Sequence, residues 1–99
     1  MNIKKTIKGK KMIIALDGKL DTNTAPQLEA AIREGEDSIT VLEFDFANLQ
    51  YMSSAGLRVL LSAQKIMNNQ GEMIIRNVSG EIMDIFDITG FIDIFNIKK

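Results

Sequence analysis

Apolar positions change period repeatedly along the chain. Met12, Ile14 and Leu16 alternate with other residues, which predicts a strand. Ile3, Lys5 and Ile7 form a weaker strand before it. Gly9 and Lys10 supply the turn, so the N-terminus reads as a β-hairpin. Gly18 to Thr24 reads as a loop. Thr24 and Gln27 then have capping-box spacing, and Pro26 suits a first helical turn. Ala25, Leu28, Ala31 and Ile32 share a face of the helix this predicts, and Gly35 ends it. Ile39 to Phe46 is rich in β-formers and apolar on both faces, which predicts a central strand covered from both sides or nearly so. Gly56, Val59, Leu60, Ala63, Ile66 and Met67 carry the most regular helical spacing in the chain. Ser53 or Ser54 can cap that helix, and Asn69-Gln70-Gly71 stops it. Glu72 to Val78 predicts a strand. Ser79 caps a third helix with Ile82, Ile85 and Phe86 on one face and Gly90 at its end. Phe91 to Ile97 reads as a final edge strand.

The order is therefore β-β-α-β-α-β-α-β. Strands alternating with helices imply parallel crossovers onto one sheet, and the hairpin adds an antiparallel pair. The fold class is α/β: a mixed, mostly parallel sheet with helices packed against it. At 99 residues the chain reads as one domain, residues 1–99.

Composition narrows the chemistry. The sequence has no Cys and no His. That removes disulfides, thiolate nucleophiles, Ser-His and Cys-His pairs and almost any zinc site. No apolar run approaches the ~18 residues of a membrane span, and the polar stretch Asn2 to Lys11 contains no signal-peptide core. The expectation is a soluble, cytoplasmic protein with no direct membrane insertion. Five of its basic residues, Lys4, Lys5, Lys8, Lys10 and Lys11, lie in the hairpin, and Lys98 and Lys99 close the chain. Between Met12 and Ile97 five basic residues face thirteen acidic ones. An acidic body argues against nucleic acid as a partner. The lysines read as a solvated edge that discourages strand-to-strand aggregation.

The candidate site is Tyr51-Met52-Ser53-Ser54-Ala55-Gly56-Leu57, between the central strand and the most regular helix. Loops at the carboxyl ends of parallel strands are where α/β sheets place function. A helix N-terminus favours a negative group through its free N–H groups and dipole, so the fold would tolerate a phosphate on Ser54. The same residues admit a plainer reading: serine as a cap, and Gly56 for close packing of helix on sheet. Asp21 has two readings as well, a contact with a partner or a turn stabilised by its own side chain. Glu43 and Asp45 share a strand face but lack a third ligand, and Asp84, Asp87 and Asp93 read as solvated charges. Met52, Met67, Met73 and Met83 read as core fillers, and Phe91 and Phe95 as core or edge packing. Neither GxxxxGK[ST] nor GxGxxG occurs, and no base is placed beside Ser54. The chain is therefore not expected to be an enzyme, and no cofactor or metal is expected.

Four segments resemble the STAS domain family of anti-sigma factor antagonists, over essentially the whole chain. They are YMSSAGLRVLL (Tyr51 to Leu61), Gly18-Lys19-Leu20-Asp21 followed by Thr24, NNQGEMIIRNVS (Asn68 to Ser79), and IFDITGF (Ile85 to Phe91). Ser54 falls on the family's phosphorylated serine. The resemblance implies a stand-alone antagonist that, unphosphorylated, binds an anti-sigma factor which is also a serine kinase, and so releases the sigma factor. Phosphorylation at Ser54 would end the complex, and a separate phosphatase would restore it. Asp21, Thr24, Ser53, Ser54, Gly56, Leu57 and Arg58 would form the contact surface. Ser53 stands where many members carry Asp, and Ala55 where a second serine often sits. The alternative is a docking subunit of a larger, membrane-associated complex that uses the same surface without a switch; such a subunit would tolerate Ser54→Ala.

Overall fold

The structure, a computed structural model, describes residues 1–98; Lys99, one of the two C-terminal lysines noted above, lies outside the described residues. Five strands and three α-helices follow the expected order: β1 (Asn2–Lys8), β2 (Lys11–Leu20), α1 (Ala25–Arg33), β3 (Val41–Met52), α2 (Ser54–Asn68), β4 (Glu72–Arg76), α3 (Gly80–Thr89) and β5 (Asn96–Lys98). The sheet order is β1-β2-β3-β4-β5. Only the β1–β2 pair is antiparallel. None of the described helices is long and apolar enough to cross a membrane.

Alternation decides which face of the sheet is buried. Met12, Ile14 and Leu16 of β2, Leu42, Phe44 and Phe46 of β3, and Met73 and Ile75 of β4 point to one side. There they form a single core with Leu28 and Ile32 of α1, Val59, Leu60, Ala63 and Met67 of α2, and Ile82 and Phe86 of α3. Ile74 points the other way and stands outside that core. The expectation that β3 is covered on both sides is thus corrected. β3 is central, but its second face carries an ion network instead of a helix. Glu43 Oε1 accepts a hydrogen bond from Arg76 Nε at 3.0 Å on β4 and lies 3.3 Å from Lys11 Nζ on β2. Burial pushes the Glu43 carboxyl up, and the hydrogen bonds from Arg76 and Lys11 together outweigh it, so its pKa falls below the ordinary 4.5. Asp45 is tied separately, accepting from Asn77 Nδ2 at 2.9 Å and from the Ala47 N–H at 3.0 Å.

Two further boundaries differ from the sequence reading. Gly18 to Leu20 is strand, not loop. β2 continues beside an extension of β3 through register shifts at Ala15/Asp17 and Gly18/Lys19, with Gly18 at φ +118°. Phe91 to Asp93 forms a 3₁₀ turn, and β5 has only three residues. The Phe95 N–H bonds to the Phe91 carbonyl at 3.0 Å, and the Phe95 ring meets Phe86 and Phe91 edge-on at centroid distances of 5.4 and 5.5 Å. Aromatic packing therefore bends a segment that its composition predicts as extended. The lysines of the hairpin are not all solvated: Lys5 Nζ donates to the Glu34 carbonyl at the end of α1, and Lys11 pairs with Glu43.

Candidate functional site

The candidate site is built where β2 and β3 end side by side. Leu20 pairs with Met52, and the Ser53 N–H donates to the Leu20 carbonyl at 2.9 Å. This bond fastens the start of α2 to the end of β2. The turn Asp21–Thr24 leaves the same point. Asp21 Oδ1 accepts from the Asn23 N–H at 2.9 Å and the Thr24 N–H at 3.0 Å. The Thr24 hydroxyl accepts from the Asp21 N–H at 2.9 Å and donates to the Lys19 carbonyl at 2.8 Å. The backbone N–H of Thr24 is the main cause that holds the Asp21 carboxyl below its ordinary pKa of 3.8. Asp21 is thus a turn-forming residue whose ionised form is favoured by the turn it makes. Thr24 precedes α1 as expected, but the capping box with Gln27 does not form, because the Thr24 hydroxyl is spent on Asp21 and Lys19.

The two serines part ways. Ser53 is the N-cap residue of α2, yet its side chain makes no capping bond. Its Oγ is shut off from solvent and has no hydrogen-bond partner among the described residues. Ser54 is the first residue of the helix and is exposed. The first backbone bond of α2 runs from the Leu57 N–H to the Ser53 carbonyl at 3.1 Å. The N–H groups of Ser54, Ala55 and Gly56 lie ahead of it, at the positive end of the helix dipole. An anion on Ser54 Oγ would meet those groups and would not disturb the core.

Of the expected contact residues, Ser54 and Arg58 are exposed at this end of the sheet. Asp21, Thr24 and Ser53 are half-buried, and Gly56 and Leu57 are turned inward. Gly56 takes the plainer of the two readings, close packing of helix on sheet. A Cβ at Gly56 would stand 2.7 Å from Leu20 Cγ and 3.1 Å from Met52 Cγ, so the space is already filled from below. Leu57 belongs to the core because it follows Gly56 on the face of α2 that meets the sheet.

Beside Ser54 runs a groove of about 560 Å³ between α1 and α2. Its walls include Thr22, Pro26, Glu29 and Arg33 on one side and Ala55 and Arg58 on the other. Only Arg58 of these was expected from the sequence. The short side chains facing across the groove, Ala25, Ala30 and Ala55, were a readable signal: two helices meet there without bulk between them. Tyr51, which opens the candidate segment, is 48% exposed at the end of β3.

The family model for the STAS domain matches residues 2–99. The chain belongs to the STAS domain family. Among the relatives of this STAS domain, the anti-sigma-B factor antagonist of Staphylococcus aureus (strain NCTC 8325) is 31% identical over 101 residues. That match covers all of this chain and 94% of the relative. BtrV of Bordetella bronchiseptica, a candidate anti-sigma factor antagonist, is 35% identical over 93 residues, covering 89% of this chain and 78% of its own. Among solved structures, the unphosphorylated form of the anti-sigma factor antagonist SpoIIAA superposes with a TM-score of 0.79 at 20% identity, covering 99% of this chain and 88% of that one. Its phosphorylated form, from Bacillus, superposes equally closely, with a TM-score of 0.78. The mixed five-stranded sheet with three helices is the fold of this family, and the antagonists just named place the STAS domain in the anti-sigma factor antagonist family.

Proposed function

We propose that the STAS domain is an anti-sigma factor antagonist whose partner binding is switched at Ser54. Unphosphorylated, it docks through the tip of α2 and the Asp21–Thr24 turn onto an anti-sigma factor that is also a serine kinase, and docking frees the sigma factor. The kinase then transfers the γ-phosphoryl group of ATP. A bond forms between Ser54 Oγ and the γ-phosphorus, the bond to the β,γ-bridging oxygen breaks, ADP leaves, and the hydroxyl proton passes to a base of the kinase. A phosphatase later hydrolyses the phosphoserine with water. The STAS domain is the substrate in these steps and not the catalyst, and it acts in the cytoplasm beside its kinase.

The observation that carries this reading is the difference between two adjacent hydroxyls. Ser54 is exposed at the first position of α2, where three N–H groups are without a helical partner, while Ser53 Oγ is enclosed. A phosphate adds about −1.5 to −2 charges there. The helix N-terminus accommodates that charge in the free protein, whereas a docked, desolvated partner surface does not. The reading agrees with relatives that are themselves anti-sigma factor antagonists. The test is incubation of wild type and Ser54→Ala with ATP and the anti-sigma kinases of the source organism, followed by intact mass, site mapping and pull-down. One phosphate on Ser54, absent from the variant and accompanied by loss of the complex, is expected. A complex that forms and persists with no phosphate on Ser54 would refute the switch and leave a docking subunit.

A further inference from the structure

Three of the charged residues near Ser54 are already engaged within the fold. Asp21 is held by its own turn. On the groove wall opposite, Glu29 and Arg33 pair with each other at 3.3 Å. Arg58 alone among the charged residues lining the groove has no ion-pair partner among the described residues. It is exposed, and it is one of five basic residues in a body that carries thirteen acidic ones. It also lies four residues after Ser54 on the same helix. Residues so spaced have Cβ atoms about 5–6 Å apart on one face. Helical side chains lean toward the N-terminus, so Ser54 lies within the reach of the Arg58 side chain.

We propose that Arg58 reads the state of Ser54. With Ser54 free, Arg58 offers its planar fork of donors to a carboxylate of the partner lying along the α1–α2 groove. With Ser54 phosphorylated, the same guanidinium turns back one helical turn onto the phosphate and is withdrawn from the partner. Phosphorylation then acts twice, by adding negative charge at the docking surface and by removing the cation the partner had used. The inference rests on the proposed switch at Ser54.

Its first test needs no partner. The full chain is made with phosphoserine encoded at position 54, with and without Arg58→Gln, and the second phosphate pKa is followed by ³¹P titration. The other charged groups at this end, Lys19, Asp21, Glu29 and Arg33, are common to both proteins. The pKa is expected to be lower with Arg58 present by about half a unit, the scale of an exposed ion pair, and Arg58→Lys should restore part of the shift. No difference between the two proteins, or an equal effect from Lys19→Gln, would overturn the proposal. The second test is affinity of the unphosphorylated chain for the kinase that modifies Ser54. Arg58→Gln should weaken it several-fold at low salt and less at high salt. Phosphoserine should cost less affinity in the Arg58→Gln background than in wild type. Equal losses would overturn the withdrawal step. Phosphoserine that costs no affinity in either background would instead refute the switch itself.

Discussion

Replacing Gly71 by Ala would place a Cβ 1.8 Å from the Thr40 carbonyl oxygen and 2.6 Å from its carbon. Cβ contacts under 3.0 Å are essentially never seen, so the two backbones must separate by more than about 1 Å. No side chain can rotate away, because the obstacle is backbone. That carbonyl also accepts the Glu72 N–H at 2.9 Å, the bond that starts β4 beside β3. Losing it costs about 0.5–1.5 kcal/mol, and forced overpacking typically costs about 1–3 kcal/mol more. The smaller freedom of Ala in the unfolded chain returns only about 0.4–1 kcal/mol. A net loss of about 2–3 kcal/mol follows, from a total that is typically about 5–15 kcal/mol for a domain. Urea unfolding followed by circular dichroism measures it. With a slope near ~1–1.5 kcal/mol/M, the midpoint should fall by about 2 M. Gly80→Ala is the matched control: nothing lies within 4 Å of its Cβ, so it should be neutral or slightly stabilising. A Gly71→Ala protein within about 1 kcal/mol of wild type, or a Gly80→Ala protein equally damaged, would refute the reasoning.

The two helix-capping serines should respond in opposite ways. Ser79 Oγ accepts the Ile82 N–H at 3.3 Å, and Ser79→Ala should cost about 0.5–1 kcal/mol, whereas Ser53→Ala removes an enclosed, unpartnered hydroxyl and should be neutral or stabilising in the same urea assay. Stability should also decline in acid. Asp21 and Glu43 both have folded pKa values below their ordinary 3.8 and 4.5, so their contributions are complete above those values and are lost as pH falls through the lower folded ones. A pH series of melts should show the decline below about pH 4.5, and Asp21→Asn with Glu43→Gln should flatten it. Gly56→Ala should destabilise by about 1–3 kcal/mol in a thermal melt, because its Cβ would stand 2.7 Å from Cγ of the fully buried Leu20 and the helix preference of Ala offsets only part of that.

The element order was legible because helical spacing is local. Val59, Leu60, Ala63 and Met67 mark α2 wherever the rest of the chain goes. What stayed hidden depends on partners far away in sequence. β2 and β3 run on to Leu20 and Met52 because they pair with each other there; Gly18 leaves a gap in the apolar alternation of β2, and in β3 an irregular register breaks the period between Phe46 and Leu49. The turn at Phe91 is set by its meeting with Phe95, which in turn packs on Phe86. At the site, Ser54, Asp21 and Thr24 could be placed from the sequence. The inward turn of Ser53 and Leu57 could not, since one residue of rotation about α2 decides which side chain meets water. The groove required the spacing of two helices and has no linear signature beyond small residues.

The ion network on the open face has a consequence for how the sheet is assembled. Parallel neighbours are joined only through long crossovers, so β2, β3 and β4 must find one another without a tight turn to set their alignment. Apolar residues alone would leave a shift by one place in β3 affordable wherever the opposite face is also greasy. Here a shift by one place would carry Glu43 from between Lys11 and Arg76 to the position of Leu42 or Phe44, under α2. An unpaired carboxylate in that setting costs several kcal/mol. One acidic side chain thus acts as an alignment mark: the correct pairing is the arrangement in which both cations reach it, and the neighbouring alignments are emptied by the penalty of burying it without them.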